Sequence, residues 1–530
     1  MVSLLIDGQP VEVAEGATIL DAARKLGLQI PTLCHRNGQS DGAQGACDPL
    51  TSCMVCVVRV NGAAKLSPSC ATKAANSMRV ESETPEVKAA RKTALELLLA
   101  DHAGDCLAPC QLICPAHMNI PLMLKQIERG ELRQAVATVK KHIPLPSTLG
   151  RICPDLCEKG CRRADKDSSV SICKLKRFVG DTDLASPEPY VPQKAAPTGK
   201  RVIIVGAGPT GLSAAYYLLV AGHSVTVYDD HLRAGGAMRY AVPRDLLPEK
   251  VLDDETRLIQ QLGATFVLGG RIGEAVFLED LRKQSDAVLL AVGPIDIPKA
   301  KALGVPGTNK GLTADKQTFL TPLPGVFAAG AATGAYKFAA RAVGDGHAAA
   351  AAIDDFLHGR PIQPRESLFS TRLGSLNEIE LAQFLAGSTN TPRVTVPGDR
   401  YMDIPTPEAA PEAARCLACG CAKVDTCRLR LASMHCDADP NHFKGERRPF
   451  ERVSTHPAIV FESGKCISCG ICVQIAQQAG EKLGLTYIGR GFTLRIGAPL
   501  GADVANALTE TAAACAKACP TAAIALKSTV

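Results

Sequence analysis

A chain of 530 residues holds about three or four domains at ~150 residues each. A hydrophobic fraction of 46% excludes a largely disordered chain, and no apolar run reaches the ~18–20 residues that span a bilayer. With 8 Tyr, 13 Phe, no Trp and a net charge of only +6, a base-stacking nucleic-acid surface is not indicated; the outlier is 22 Cys.

Disulfides, zinc sites and iron–sulfur clusters are the ordinary explanations of such a count. Disulfide frameworks belong to small secreted domains, and the opening MVSLLIDGQPVEV shows no basic region followed by an apolar core. A reduced, cytoplasmic setting is therefore expected, and with it thiolate–metal sites. Twelve Cys precede residue 174, none lies between 174 and 415, and ten fall from 416 to 519. The plan is metal, nucleotide fold, metal. It predicts a multidomain α+β and α/β protein: 1–80 a 2Fe–2S domain, 81–185 a helical 4Fe–4S domain, 199–360 a Rossmann-type domain, 361–412 a linker and 413–530 a C-terminal 4Fe–4S domain.

The first residues read as strand, Asp7-Gly8 turn, strand, followed by a helix near Thr18–Leu26 that Gly27 stops. Cys34 is followed after 18 residues by Cys53, then Cys56, and after 13 more by Cys70. A long loop leading to a close CxxC and a distant fourth Cys suits a 2Fe–2S cluster, whose sulfurs accept loop N–H groups. Residues 54–60, MVCVVRV, read as the anchoring strand. PTLC ending at Cys34, SCMVCVVRV at 52–60 and PSCAT ending at Thr72 resemble the 2Fe–2S ferredoxin-like domain that opens large subunits of complex I, NAD-linked hydrogenases and formate dehydrogenases. That resemblance implies a β-grasp fold. The loop is longer here and holds Cys47, read as a spare thiol; a zinc ribbon is the alternative.

His102, Cys106, Cys110 and Cys114-Pro115 come next, then a helical stretch at 121–141, then Cys153-Pro154, Cys157, Cys161 and Cys173. Seven Cys and one His match the ligand demand of two 4Fe–4S cubanes. CLAPCQLICPAHMNIP, GRICPDLCEKGC and VSICKLKRF resemble the N-terminal helical domain of the glutamate synthase small subunit and of dihydropyrimidine dehydrogenase. The crossed ligation of that family implies Cys106, Cys110 and Cys161 for one cluster, and Cys114, Cys153 and Cys157 for the other. His102 stands near the place of the family's missing first Cys, as in the His-plus-three-Cys cluster of complex I-type subunits. Cys173 is nominated where the family has a carboxylate or amide near Lys176.

Arg201–Val205 reads as a buried strand, Gly206-Ala-Gly208-Pro209-Thr-Gly211 as a turn into a helix, and Ser224–Tyr228 as a second strand ending at Asp229. Strand, glycines, helix, strand and acid in that order form a dinucleotide fingerprint: the glycines let the backbone approach a pyrophosphate, and the acid reaches ribose hydroxyls. Gly235-Gly236-Ala-Met-Arg-Tyr, DAVLLAVG ending at Gly293 and TPLPGVFAAG ending at Gly330 resemble the same amidotransferase-type flavoenzymes and imply FAD. Two departures stand out. Gly293 and Pro324 are only 31 positions apart, where the family inserts a second Rossmann domain for NAD(P)H. Ala331 replaces the family's Asp, so an altered or vestigial flavin pocket stays open as an alternative.

Cys416, Cys419, Cys421 and Cys427 form a compact group suited to one 4Fe–4S cluster or a zinc knuckle. Cys466, Cys469 and Cys472 with Cys519-Pro520 follow the bacterial-ferredoxin pattern, in which the distant Cys completes the cluster. Ala476 stands where a two-cluster ferredoxin has its fourth Cys, and Cys436 and Cys515 are left over. The expected cofactors are one 2Fe–2S cluster, about four 4Fe–4S clusters and FAD, with no catalytic residue of the protein's own. Clusters around a flavin suit an electron-transfer subunit, and the resemblance implies as partners a nicotinamide-dehydrogenase-type subunit and a formate dehydrogenase or hydrogenase-type subunit, or ferredoxin. A self-contained FAD-dependent NAD(P)H oxidoreductase and a zinc-stapled scaffold are the alternatives.

Overall fold

A computed structural model describes residues 1–36, 50–271, 276–336, 338–363, 368–395 and 403–527. Cys47 lies outside the described residues. The chain divides into two compact units, one of residues 1–107, 369–386 and 418–530, the other of residues 108–368 and 387–417.

In the first unit, strands Val2–Ile6 and Gln9–Val13 form the hairpin at Asp7-Gly8, and Val2–Ile6 continues in parallel with Arg79–Glu81. Val57–Val60 and Ser67–Pro68 complete a five-stranded mixed sheet. Helix Ile19–Lys25 crosses it, opened by a Thr18–Asp21 capping box and burying Ile19, Leu20, Ala22 and Ala23. This is the expected grasp arrangement. The anchoring strand begins at Val57 and not at Met54, because Thr51 and Met54 take positive φ of 51° and 52° as the chain turns around Cys53.

Helix Pro85–Ala100 follows, N-capped by Thr84. The C-terminal part of the unit has the three-stranded antiparallel sheet Arg452–Val453, Ile459–Glu462, Ile524–Leu526, with helices Ile471–Ala479 and Ala512–Ala518. Leu95, Leu99, Phe461, Ile475, Ala476, Leu508 and Ala516 share one apolar core with Leu33 and Val55 from the N-terminal loops.

The stretch expected as a linker holds two helices among its described residues. Helix Glu378–Leu385 belongs to the first unit: buried Glu380 accepts hydrogen bonds from Arg447 and from the Phe450 N–H, and Phe384 stacks on Phe450 at 4.5 Å. Helix Thr406–Ala413 belongs to the second. Its prolines read as breakers, yet Pro407 sits in the first turn, where its missing N–H costs nothing, and the helix runs on through Pro411.

The second unit joins a helical region to a Rossmann-type sheet. The helical run at 121–141 is two helices, Ile120–Glu128 and Leu132–Lys140, parted at Gly130. The sheet is parallel throughout, in the order Val326–Ala328, Ala287–Leu290, Arg201–Val205, Ser224–Asp229, Thr265–Leu268. Helices Pro209–Val220 and Ala339–Leu357 pack together, with Ala214, Leu218, Ala349 and Ile353 in one core. The short segment between Gly293 and Pro324 folds into helix Ile297–Ala302 and a two-residue strand pair, with Ala300, Leu303, Val305 and Leu312 packing on Val288, Leu290 and Ala328. Among the described residues this is the only all-parallel sheet. No helix among them is long and apolar enough to cross a membrane.

Candidate metal and dinucleotide sites

The N-terminal loops place four buried thiols in two close pairs: Cys34 and Cys53 Sγ atoms at 3.4 Å, and Cys56 and Cys70 at 3.4 Å. The side-chain hydrogen bond with Cys53 draws Cys34 down to about 5, and that with Cys70 draws Cys56 to about 6. Two thiol pairs are the donor set of two iron atoms, each held by two sulfurs.

Cys114, Cys153, Cys157 and Cys173 surround Lys176. Its burial opposes the positive charge, but the thiolates, Cys173 foremost, outweigh that and hold the ammonium charged. Cys153 and Cys173 lie close together beside Asp155, and the Cys173 N–H donates to Glu158 at 3.0 Å. From the sequence Lys176 reads as a surface charge. Its position three residues after Cys173 on helix Ile172–Ala185, hence on the same face, was the available signal.

The remaining thiols of the two central motifs have neighbours that their order in the chain does not suggest. Cys421 donates its N–H to the Cys106 carbonyl at 3.1 Å. Burial raises Cys427 to about 12, with Cys421 and Cys106 adding to the effect. Segment 369–373 braces Cys106: Thr371 Oγ1 lies 3.2 Å from its Sγ, and Ser370 accepts the Leu107 N–H. His102 has a buried Nδ1 with no partner among the described residues, and burial, then Lys465, pulls its imidazole down to about 4. Cys110, Cys161 and Cys416 instead border the core of the second unit. There Arg415 and Arg163 are both buried. Arg163 donates to the Arg415 carbonyl, while Arg415 reaches Glu412, Asp167 and the Ser168 carbonyl. Cys419 is half-buried in the turn that follows Ala418.

Cys466, Cys469, Cys472 and Cys519 all line one cavity, with Phe461, Ile471, Ile496 and Ile524 around them. The Ser468 N–H points at the Cys466 sulfur at 3.4 Å. Cys515 is buried with its thiol toward the Cys472 carbonyl, and burial raises the half-buried Cys436.

The Rossmann pocket, about 470 Å³, is lined by Gly206, Gly208, Pro209, Asp229, Gly236, Gly293 and Ala331 among others. Gly208 precedes helix Pro209–Val220 with no side-chain cap, so the first N–H groups face the pocket mouth unclaimed by a side chain. Gly206 has φ +109°, and a Cβ there would sit 2.3 Å from the Ala291 carbonyl. Gly211 and Gly330 are outside the lining and serve packing: a Cβ would meet the Gly206 oxygen at 1.8 Å and Thr210 Oγ1 at 2.1 Å. Asp229 is held by the N–H groups of Ala207 and His231 at 2.6 and 2.9 Å. His231 stacks on Tyr240 at 4.3 Å, and Arg271 and Lys299 bring positive charge to the lining. Those four were not singled out from the sequence. Only Tyr240 fell within a quoted motif.

The chain matches three domain families: a 2Fe-2S iron-sulfur cluster binding domain over residues 1–85, the 4Fe-4S cluster domain II of dihydropyrimidine dehydrogenase over 82–187, and an NAD(P)-binding Rossmann-like domain over 204–265. It is 37% identical over 210 residues to the beta subunit of an NADPH-Fe(3+) oxidoreductase of Geobacter sulfurreducens, covering 38% of this chain and 30% of that one. It is 34% identical over 225 residues to the beta subunit of an NADP(+)-dependent formate dehydrogenase of Moorella thermoacetica, with 38% and 31% covered. The small chain of a Bacillus subtilis NADPH glutamate synthase is 37% identical over 182 residues, with 34% and 36% covered. The chain thus spans about a third of the length of these relatives. What the chain shares with these oxidoreductases and oxidoreductase subunits is iron–sulfur domains joined to a Rossmann-like domain.

Proposed function

We propose that the chain relays electrons through one 2Fe–2S cluster, four 4Fe–4S clusters and FAD, between a nicotinamide-dehydrogenase-type subunit and a catalytic subunit of the formate dehydrogenase or hydrogenase type. The observation that carries this reading is that thiols distant in sequence meet, Cys34 with Cys53, Cys56 with Cys70, and Cys466, Cys469 and Cys472 with Cys519 around one cavity. FAD when bound exchanges electron pairs, whereas the clusters exchange single electrons.

Cys34, Cys53, Cys56 and Cys70 would hold the 2Fe–2S cluster. Cys114, Cys153, Cys157 and Cys173 would hold one cubane, with Lys176 offsetting its negative charge. Cys466, Cys469, Cys472 and Cys519 would hold another around their shared cavity. His102, Cys106, Cys110, Cys161, Cys416, Cys419, Cys421 and Cys427 supply eight donors for two more. For FAD, Gly206, Gly208 and the uncapped helix start would receive the pyrophosphate, and Asp229 the ribose. Gly236, Gly293 and Ala331 line the rest. The relatives named as subunits of NADP-linked enzymes support a role among partner chains, and the thiol sets suit a reducing compartment such as the cytoplasm. A second reading, in which the pocket takes NAD(P)H itself and the chain is a self-contained reductase, is favoured by the NAD(P)-binding family match.

Anaerobically purified protein is expected to be brown, with about 18 iron atoms per chain when every cluster is full. A colourless protein carrying zinc would overturn the relay.

A further inference from the structure

We propose that two of the cubane sites are built by exchange between the N-terminal and C-terminal cysteine motifs. Cys106 shares one centre with Cys421 and Cys427, and Cys110 and Cys161 share another with Cys416. The inference rests on the iron–sulfur reading above and changes which residues belong together within it. The family resemblance implies Cys106, Cys110 and Cys161 as one set, and spacing puts Cys416, Cys419, Cys421 and Cys427 in the other.

The contacts run across that division. Within the first unit, the Cys421 N–H to Cys106 carbonyl bond of 3.1 Å ties the two ligand loops at their own backbones. Thr371 Oγ1 holds the same loop by donating to the Gly104 carbonyl at 2.7 Å, and Asp105 accepts the Leu373 N–H at 2.9 Å. The Cys427 sulfur accepts from the Arg430 N–H at 3.5 Å, so this thiol is positioned by the start of helix Arg428–His435. The buried Lys465 beside Cys421, ion-paired to Glu462, places a fixed cation next to a centre that carries net negative charge. Its side chain also fills the space over Gly104, in the loop that carries His102 and Cys106.

Within the second unit, the residues adjoining Cys161 and Cys416 are bound together. Arg163 reaches the Thr389 carbonyl at 2.8 Å and the Arg415 carbonyl at 3.4 Å, while Arg415 reaches the Ser168 carbonyl at 2.7 Å. Glu412 joins the network by accepting the Ser171 and Val394 N–H groups at 2.7 and 2.8 Å. Cys110 comes to the same place because Gly160, just before Cys161, packs on Ile113 and the Pro109 carbonyl. Burying two guanidinium groups is costly unless every donor is used, and here the network uses them to hold two ligand loops in register. Each exchanged centre would close a loop of roughly 250–300 residues, so cluster assembly would also lock distant parts of the chain together.

The test is iron content in the full-length protein, reconstituted anaerobically, for paired alanine variants. Cys106→Ala with Cys427→Ala should lose about four iron atoms, since both changes strike one cubane, and Cys106→Ala with Cys110→Ala should lose about eight. The reverse, about four for the second pair and about eight for the first, would overturn the exchange while leaving the relay intact. Wild-type protein without iron would overturn both. Where an alanine pair does not fold, serine supplies an oxygen ligand: Cys106→Ser and Cys427→Ser should shift the same EPR signal, and Cys161→Ser and Cys416→Ser a different one. Shifts of unrelated signals within either pair would contradict the proposal.

Discussion

Glu255 sits on helix Glu249–Gln261 with about 1% of its surface exposed and accepts the N–H groups of Ser147 and Thr148 at 2.7 and 2.9 Å. Burial raises its carboxyl from the ordinary 4.5 to about 7, even though both hydrogen bonds favour the ionised form. The folded protein therefore keeps the proton over a range in which the unfolded chain has released it. Stability should fall as pH rises from about 4.5 to about 7, and the contribution should be constant above that. In melting curves between pH 5 and 8, Glu255→Gln should flatten this decline; a slope equal to wild type would refute the assignment. Glu255→Ala should cost about 1–3 kcal/mol at any pH, because two N–H groups lose their acceptor. Residues of this kind are invisible in a sequence. The cysteines announced themselves by number and spacing, whereas Glu255, Lys176 and Lys465 read as surface charges until burial and neighbours are known.

Helix Arg428–His435 begins immediately after Cys427, and its first residue joins several loops of the first unit. The Arg428 N–H donates to the Pro520 carbonyl at 2.8 Å, next to Cys519, and its guanidinium donates to the carbonyls of Thr32, Leu33 and His35 at 3.0, 2.7 and 3.2 Å. Those carbonyls flank Cys34. One half-buried cation thus ties the loop around Cys34 to the loop around Cys519. Arg428→Met should cost roughly 2–4 kcal/mol by leaving these carbonyls unpaired, and should lower the potential of the 2Fe–2S signal in an EPR redox titration. Arg428→Lys, which keeps the charge, should retain more of the potential than of the stability. An unchanged potential in the methionine variant would remove Arg428 from this role. Elements with clear periodicity or motif were legible: the hairpin at Asp7-Gly8, helix Ile19–Lys25 and the strand–glycine–helix entry at Arg201. The two helices in the expected linker were not: proline-rich composition hides helix Thr406–Ala413, which takes Pro407 in its first turn and runs on through Pro411, and helix Glu378–Leu385 is held by tertiary partners such as Arg447 and Phe450. The grouping of the central cysteines was hidden for a related reason. Spacing reports which residues can share a centre locally and says nothing of a partner 300 positions away.

Across the whole molecule, the thiol sets occur in both units, and the dinucleotide pocket belongs to one parallel sheet of the second. Helix Ile297–Ala302 and the short strand pair pack on that sheet in the short segment between Gly293 and Pro324. With its cofactors in place, such a chain can store and pass electrons, but its supply and its outlet would lie on partner chains. Anaerobic titration of the holoprotein, followed in the visible spectrum, tests this most directly. Dithionite should bleach the clusters, and NADPH alone should leave the spectrum unchanged until a nicotinamide-dehydrogenase-type partner is added. Prompt bleaching by NADPH without a partner would contradict the relay and establish a self-contained reductase.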